Sequence, residues 1–314
     1  MDMITVVMVS YNTRELTVQA ITTLIQNCTL SLEIIVIDNA SNDETVETLR
    51  KSFPNVKLVQ NQQNVGFGMA NNQGFALATN DLVLLLNTDA YIKPCCIENL
   101  VDTIHSDAKI GVVGPRILNK DGTLQPSVHP FPGPLRAVLE YWWLERLFPS
   151  GTRLGSYRNW SYADVADVPW LIGACMLVRK SVISETDGFS NEFFMYAEET
   201  DWQKRIRDKG WRIMFTPLAE CIHLGGASGG TADLKVRSAF FRSQDIYVRK
   251  HSGIAGLVFF RLVLIGSLLV RILGWSVKSL VRRATSNESK ERVNLFVWLL
   301  QRSTLDWSVL KHAR

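Results

Sequence analysis

Leu82-Val83-Leu84-Leu85-Leu86-Asn87-Thr88-Asp89-Ala90 decides how this chain is read. An unbroken run of Leu and Val predicts a strand buried on both faces, as in the middle of a parallel sheet. The run stops at Asn87-Thr88-Asp89, which puts the Asp89 carboxylate at the strand's carboxyl edge. In open α/β sheets that edge is where ligands bind. An ionised Asp there can take a divalent cation, and a cation there can hold a diphosphate. Asn, Thr and Asp also favour turns and helix caps, so the segment alone leaves both readings open.

Upstream of Leu82, strand and helix signals alternate. Residues 4–9 read as a strand, and 14–26 carry helical spacing through Leu16, Ala20 and Leu24. Residues 33–37 read as a second strand, ending at Asp38-Asn39-Ala40-Ser41-Asn42-Asp43. Ser41 or Asn42 is then expected to cap a helix running to about Lys51. Residues 56–59 form a third strand, and 68–78 a helix leading into Leu82. This β-α-β-α order predicts a doubly wound, mostly parallel α/β sheet. Beyond Pro115 the pattern loosens. Residues 119–169 hold Pro126, Pro130, Pro132, Pro134, Pro149 and Pro169 and predict loops and short helices over one side of the sheet. Residues 170–178 read as one strand, 198–209 as a helix and 211–215 as a short strand.

With 314 residues, 46% hydrophobic and 20% charged, the chain has room for a large domain with an appendage, or for two domains. Cys28, Cys95, Cys96, Cys175 and Cys221 are odd in number and form no CxxC, which argues against a disulfide framework. The N-terminus, Met1-Asp2-Met3-Ile4, lacks a basic leader and reads as the first strand. Charge is split unevenly. Residues 241–314 hold 13 Lys and Arg against 4 Asp and Glu, although the whole chain is only +4. Residues 253–281 are apolar but interrupted by Arg261 and Arg271, so no run reaches 18 uncharged residues. On a helix Ser267, Arg271, Gly274, Lys278 and Arg282 fall near one face, a narrow basic stripe on an apolar cylinder. That pattern predicts a helix lying in a membrane interface. A tilted or re-entrant span with snorkelling arginines, and packing on the body or on a second subunit, are the alternatives. The tail is too apolar for a nucleic-acid groove, so no nucleic-acid partner is expected.

Polar clusters fall at the expected strand ends: Ser10-Tyr11-Asn12, Asp38-Asn39-Ala40-Ser41, Asn87-Thr88-Asp89, Tyr196-Ala197-Glu198-Glu199-Thr200-Asp201-Trp202 and Glu220-Cys221-Ile222-His223. Asn64-Val65-Gly66-Phe67-Gly68 is a glycine-containing turn entering a helix, whose N–H groups can face an anion. There is no Walker A sequence, no GxGxxG after a strand and no HExxH.

Taken in order, these motifs resemble glycosyltransferase family 2, the inverting GT-A enzymes. Trp170-Leu171-Ile172-Gly173-Ala174, the Phe193–Trp202 segment and Ile222-His223-Leu224-Gly225-Gly226 resemble its rhamnosyltransferase and galactofuranosyltransferase branch. The resemblance spans roughly residues 4–250. It implies a GT-A domain over 1–250 and leaves 251–314 as a basic helical tail, peripheral on the cytoplasmic face of the cell membrane. Asp38 would hydrogen-bond the nucleotide base, with Ser10, Tyr11 and Asn12 beside it and Asn64 and Gly66 completing the nucleotide pocket. Asp89 would ligate Mg²⁺ or Mn²⁺, and His223 would complete that site. Asn87 stands where the motif's first carboxylate can be, so one metal carboxylate is missing. Asn87, Trp170, Glu198 and Asp201 would line the donor and acceptor side. Glu199 aligns with the catalytic base, usually Asp, and so carries one extra methylene. The implied partners are a dTDP- or UDP-sugar, with dTDP-rhamnose first, and a glycan or lipid-linked acceptor.

The residue types suit that chemistry without the family. Sugar transfer from a nucleoside diphosphate needs a base for the acceptor hydroxyl and a cation for the leaving diphosphate. On a helix Glu198 and Asp201 share a face, while Glu199 points about 100° from Glu198, so the two glutamates cannot serve one role equally. An acidic first turn favoured by the helix dipole is the plain alternative. Two rival functions remain. One is a non-catalytic nucleotide-sugar-binding protein of the same fold. The other is a GxSxG hydrolase using Ser228 in Gly226-Ala227-Ser228-Gly229-Gly230, with Asp233 or Asp245 and His251.

Overall fold

A computed structural model describes residues 3–225, 234–281, 286–306 and 308–310. The chain begins with β1 (Met3–Ser10), α1 (Arg14–Asn27), β2 (Ser31–Asp38), α2 (Thr45–Ser52), β3 (Lys57–Gln60), α3 (Phe67–Leu77) and β4 (Leu82–Leu86). It continues through β5 (Ala90–Ile92), α4 (Cys96–His105), β6 (Ile110–Leu118), β7 (Val128–His129), α5 (Pro134–Tyr141), β8 (Ala166–Asp167), β9 (Trp170–Leu171) and β10 (Cys175–Arg179). Then come α6 (Lys180–Thr186), α7 (Glu198–Asp208), β11 (Arg212–His223), α8 (Leu234–Val281) and α9 (Ser286–Leu305).

The main sheet runs β3-β2-β1-β4-β10-β6-β11-β5, with β8 added to β11. Strands β3, β2, β1 and β4 are mutually parallel, and β6 is parallel to β11. Strand β10 is antiparallel to both its neighbours, β4 and β6. β4 lies at the centre, and all five of its residues are buried. Leu82, Leu84 and Leu86 enter one hydrophobic layer with Ile21 and Leu24 of α1 and Leu100 of α4. Val83 and Leu85 enter the opposite layer with Phe75 of α3 and Trp202 and Ile206 of α7. The Leu/Val run therefore does what its lack of alternation requires.

Three local expectations change. Neither Ser41 nor Asn42 caps α2. The Ser41 hydroxyl accepts from the Asn12 N–H, and the Asp43 carboxylate takes the N–H groups of Thr45 and Arg14 instead. Residues 170–178 are two strands, because the turn after Leu171 leaves the small sheet of β7 and β9 before β10 joins the large one. β11 is much longer than residues 211–215. A register irregularity between Thr216 and Glu220 lets the strand continue to His223.

The chain divides into two compact units. One contains Met1–Phe131 and Tyr157–Ser243, and the other Pro132–Ser156 and Gln244–Arg314. In the second unit Arg261 is 1% exposed. It pairs with Asp245 at 2.9 Å, which Arg302 also reaches at 3.1 Å. Of the expected basic stripe, Ser267 is buried, Arg271 lies over the Trp143 ring and Arg282 is outside the described residues. Leu262, Leu269, Val270, Leu273 and Val277 face outward. α8 is interrupted by Gly253, whose φ of 71° is a left-handed value that glycine tolerates. Its Ser238–Lys278 portion is long and apolar enough to cross a membrane by length and composition, and a third of its most apolar window is buried.

Candidate active site

The carboxyl ends of β1 and β2 form the first corner. Ser10 and Asp38 are register partners, and the Asn39 N–H bonds to the Ser10 carbonyl at 2.7 Å. Asp38 is fully buried. Its Oδ2 accepts the Ser41 N–H at 3.1 Å, while Oδ1 has no partner. A buried, unpaired acceptor is costly unless a ligand completes it. The turn that aims it passes through Ala40 at φ 69°, a strained value for a residue with a Cβ. Tyr11 is 42% exposed, and Asn12 receives the Asn42 N–H. Ser10 turns inward, sharing hydrogen bonds with Thr13 and Thr17, so its hydroxyl serves the turn.

Asn39 ties this corner to the glycine turn. Its Nδ2 donates to Asn64 Oδ1 at 2.8 Å, and its Oδ1 accepts from Asn61 and from the Val65 N–H. Asn64 Oδ1 also accepts the Gly66 N–H at 2.9 Å. At Gly66, φ is 88°, and a Cβ would sit 2.7 Å from the Phe194 carbonyl oxygen. Any larger residue would push the turn away from the segment that leads into α7.

The second corner lies after β4. Asp89 Oδ1 is 3.3 Å from His223 Nε2, and the Asp89 carbonyl accepts the Leu224 N–H. His223 is placed there by the pairing of β11 with β5, in which it faces Ala90. The other imidazole nitrogen, Nδ1, is 2.7 Å from Gln125 Oε1. Gln125 uses its amide group on Asn119 Oδ1 and on the His223 carbonyl, which fixes Oε1 as an acceptor. Nδ1 therefore donates to Gln125, and in the neutral ring the Nε2 lone pair faces the Asp89 carboxylate. Two lone-pair groups facing each other fit a shared cation, and a carbonyl acceptor behind a metal-binding imidazole is the usual support. Asn87 Oδ1 is likewise buried without a partner. Among the described residues no group of three His, Cys, Asp or Glu is placed to hold a metal ion. Asp89 and His223 can thus supply two ligands, leaving room for diphosphate oxygens and water.

The third corner is the start of α7, entered through Tyr196 and Ala197, both with positive φ. Glu198 is buried against the first turn of α3, where its Cβ lies 3.7 Å from the place a Gly68 Cβ would take. Its Oε2 has no partner. Glu199 diverges, lying beside Gly173 and near Leu85 of β4. Ala174, next to Gly173, accepts the Asn87 N–H at 2.9 Å, so Glu199 is the glutamate on the Asn87–Asp89 side. Burial raises both carboxyls, and the charge of Glu199 raises Glu198 further. Each keeps its proton to a higher pH than an ordinary glutamate, which suits a base working near neutrality.

Asp201 is fully buried and ion-paired with Arg205, which also donates to the carbonyls of Thr186 and Gly188. Its position braces α7. Trp170 stacks against His129, with ring centres 5.0 Å apart, and donates to the Pro130 carbonyl. Two residues had no sequence signal. Gln125 fixes the His223 tautomer. Gln203 bonds both the N–H and the carbonyl of Leu171, holding the 170–174 segment to α7. Neither belongs to a recognisable spacing, because each acts through a partner distant in sequence. Of the hydrolase constellation, Gly226–Gly230 and Asp233 lie outside the described residues. Asp245 is locked by Arg261 and Arg302, and His251 stacks on Tyr247.

A doubly wound sheet that gathers such groups along its carboxyl edge has the form of an α/β protein with a ligand site there. The sequence model of Glycosyl transferase family 2 matches residues 5–186, and the chain belongs to that family as a glycosyltransferase. It is 30% identical over 240 residues to the N-acetylglucosaminyl-diphospho-decaprenol L-rhamnosyltransferase of Mycobacterium tuberculosis, covering 71% of this chain and 76% of that protein. It is 27% identical over 227 residues to the low-salt glycan biosynthesis hexosyltransferase Agl10 of Haloferax volcanii, covering 71% and 67%. Among solved structures, the mannosyltransferase PcManGT of Pyrobaculum calidifontis, in complex with GDP-Man and Mn²⁺, superposes with a TM-score of 0.58. The identity is 14%, over 97% of this chain and 87% of that one. GalNAc-T7 with UDP, GalNAc and Mn²⁺ gives 0.57 at 16% identity, over 78% of this chain and 47% of that one, so the chain spans about half its length. These two likenesses establish the GT-A fold.

Proposed function

We propose that this glycosyltransferase is metal-assisted and inverting, and moves a hexose onto a hydroxyl of a glycan or lipid-linked glycan. Rhamnose from dTDP-rhamnose is the first choice, supported by similarity to the mycobacterial rhamnosyltransferase. The observation that carries the reading is the Asp89–His223 pair, whose imidazole is held by Gln125 with its lone pair toward the carboxylate.

Each residue then has a task. Asp38 Oδ1 accepts the imide N–H of thymine or uracil, an acceptor meeting a donor. Tyr11 offers an exposed ring beside the base. Asp89 and His223 hold Mg²⁺ or Mn²⁺, which supplies positive charge for the departing diphosphate. Glu199 takes the proton of the acceptor hydroxyl as that oxygen bonds to the anomeric carbon and the carbon–diphosphate bond breaks on the opposite side. One such displacement inverts the anomeric centre and needs one base. Glu198 stays protonated against α3 and shapes the pocket, and Trp170 lines the acceptor side. The tail docks the enzyme on the cytoplasmic face of the membrane, where a lipid-linked acceptor would lie. Support for docking comes from the +9 balance of residues 241–314 and the outward-facing Leu and Val of α8.

A donor panel tests this. The full chain, with detergent-dispersed lipid-linked acceptor and Mn²⁺, is assayed for nucleoside-diphosphate release from dTDP-rhamnose and UDP-, GDP- and dTDP-linked hexoses. Release from dTDP-rhamnose, lost in EDTA, is expected. Preference for a GDP-sugar, or full rate in EDTA, contradicts the proposal.

A further inference from the structure

The second unit carries an exposed aromatic loop to which the transfer reaction gives no task. It follows α5 and reads Trp142-Trp143-Leu144-Glu145-Arg146-Leu147-Phe148. All five of its large apolar side chains are exposed, Leu147 to 78%. The chain enters it through Trp143 at φ 58°, a strained value for a residue with a Cβ. A 3₁₀ turn over Leu144–Leu147 follows.

The loop lies beside α8. A Cβ on Gly266 would stand 3.3 Å from the Trp142 ring. Arg271 sits 4.7 Å over Trp143 and donates to the Tyr141 carbonyl at 3.2 Å. Beyond Gly253, α8 sorts its side chains by face. The exposed Ile254, Val258, Leu262, Leu269, Leu273 and Val277 fall within an arc of about 140° at 3.6 residues per turn. Buried Leu257, Phe260, Leu264 and Leu268 take the opposite side. So do the charged residues of 254–278, which are Arg261, Arg271 and Lys278. The outward arc therefore runs for about 35 Å with no charge on it.

A charge-free face of that length beside a Trp-rich loop fits a lipid bilayer. Indole rings favour the boundary between headgroups and acyl chains, and an apolar helix face lies along it. Charge favours the same partner. The unit, residues 132–156 and 244–314, has 15 Lys and Arg against 6 Asp and Glu, a net +9 that pairing within the unit cannot cancel. A second copy would bring the same sign, whereas anionic lipid brings the opposite one. We propose that loop 142–148 is a membrane anchor, sinking into the acyl boundary of an anionic bilayer beside the outward face of α8. The proposal rests on the reading that this unit works at a membrane. It moves the contact from the basic stripe to an uncharged face and to a loop outside the tail.

The test floats the full chain with equimolar phosphatidylcholine and phosphatidylglycerol vesicles, at low and high salt. Dibrominated phosphatidylcholine is included in a second set to quench nearby indoles. Wild type is expected to float, to stay bound at high salt because apolar contacts are not screened, and to lose Trp emission. Leu147→Glu/Phe148→Glu should weaken binding by roughly tenfold or more, while Leu147→Phe/Phe148→Leu should keep it. Trp142→Phe/Trp143→Phe should float but lose part of the bromine quenching. These side chains are exposed, so melting temperatures should match wild type. Binding that survives Leu147→Glu/Phe148→Glu overturns the proposal, as does quenching that Trp142→Phe/Trp143→Phe leaves unchanged. A dimer, seen by light scattering, that dissociates in the glutamate variant while flotation persists assigns the loop to a second copy instead. Leu269→Glu/Leu273→Glu separates the two readings: if it alone abolishes flotation, the tail docks and the loop does not. If wild type fails to float, both readings fall.

Discussion

The two units handle charge and grease in opposite ways. In the first, apolar side chains fill both faces of the sheet, and polar groups collect at its carboxyl edge: Asp38, Asn87, Asp89, Glu199 and His223. In the second, Arg261 and Asp245 are buried together while Leu273 is 67% exposed and Leu147 78% exposed. Burying an ion pair while leaving large aliphatics outside does not minimise apolar contact with water. Large exposed apolar patches mark interaction surfaces, for another protein or for a membrane.

The largest effect should come from breaking the buried charges of the second unit. Asp245→Ala removes the carboxylate that Arg261 and Arg302 share, and breaking a buried pair by removing one member typically costs ~3–5 kcal/mol. A markedly lowered melting temperature of the helical signal is expected, whereas an unchanged one would mean the triad is solvated. Next comes Asp89→Ala in the first unit. Loss of a preorganised electrostatic contact to the leaving group lowers turnover by about 10²–10³-fold. Wild-type activity of this variant in EDTA would remove Asp89 from the metal. Gln125→Leu should be milder. It frees the His223 ring to change tautomer, and loss of such a supporting bond costs roughly 10–100-fold in metal affinity. The apparent Mn²⁺ requirement should rise while rate at saturating Mn²⁺ persists. The smallest effect is on stability. Burial and Glu199 raise the Glu198 carboxyl. A raised folded value means stability is lost as pH climbs from the ordinary glutamate range through the raised value. Glu198→Gln removes that loss, so its melting temperature should exceed wild type's more at pH 8 than at pH 5. The reverse order would place Glu198 in a charged, solvated state.

The parallel half of the sheet was legible because its signals are local. A five-residue Leu/Val run states its own burial, and the helices between strands carry their own periodicity. Strand β6 was missed because Pro115 and two glycines, Gly111 and Gly114, break its apolar pattern. These residues fit since Leu171, Trp211 and Val182 pack where side chains would otherwise stand. The length of β11 was hidden by the irregularity at Thr216–Glu220, yet that extension is what brings His223 to Asp89. Family resemblance supplied the Asp89–His223 pairing, and geometry added Gln125, a polar hairpin residue 98 positions from the histidine it orients. In the tail, Arg261 reads in sequence only as an interruption of an apolar run. Its partner Asp245 lies 16 positions before it, and Arg302, which shares that carboxylate, 41 positions after it, so no local pattern joins them.

The central claim is that Glu199, and not its buried neighbour, removes the acceptor proton. Single-turnover transfer by Glu199→Gln and Glu198→Gln, each at saturating donor and across pH, tests it most directly. Base catalysis is typically worth ~10²–10⁴-fold, so Glu199→Gln should lose that much while binding donor normally. Glu198→Gln should stay near wild type, with a rate that still rises with pH as Glu199 gives up its raised proton. A dead Glu198→Gln beside an active Glu199→Gln would contradict the account.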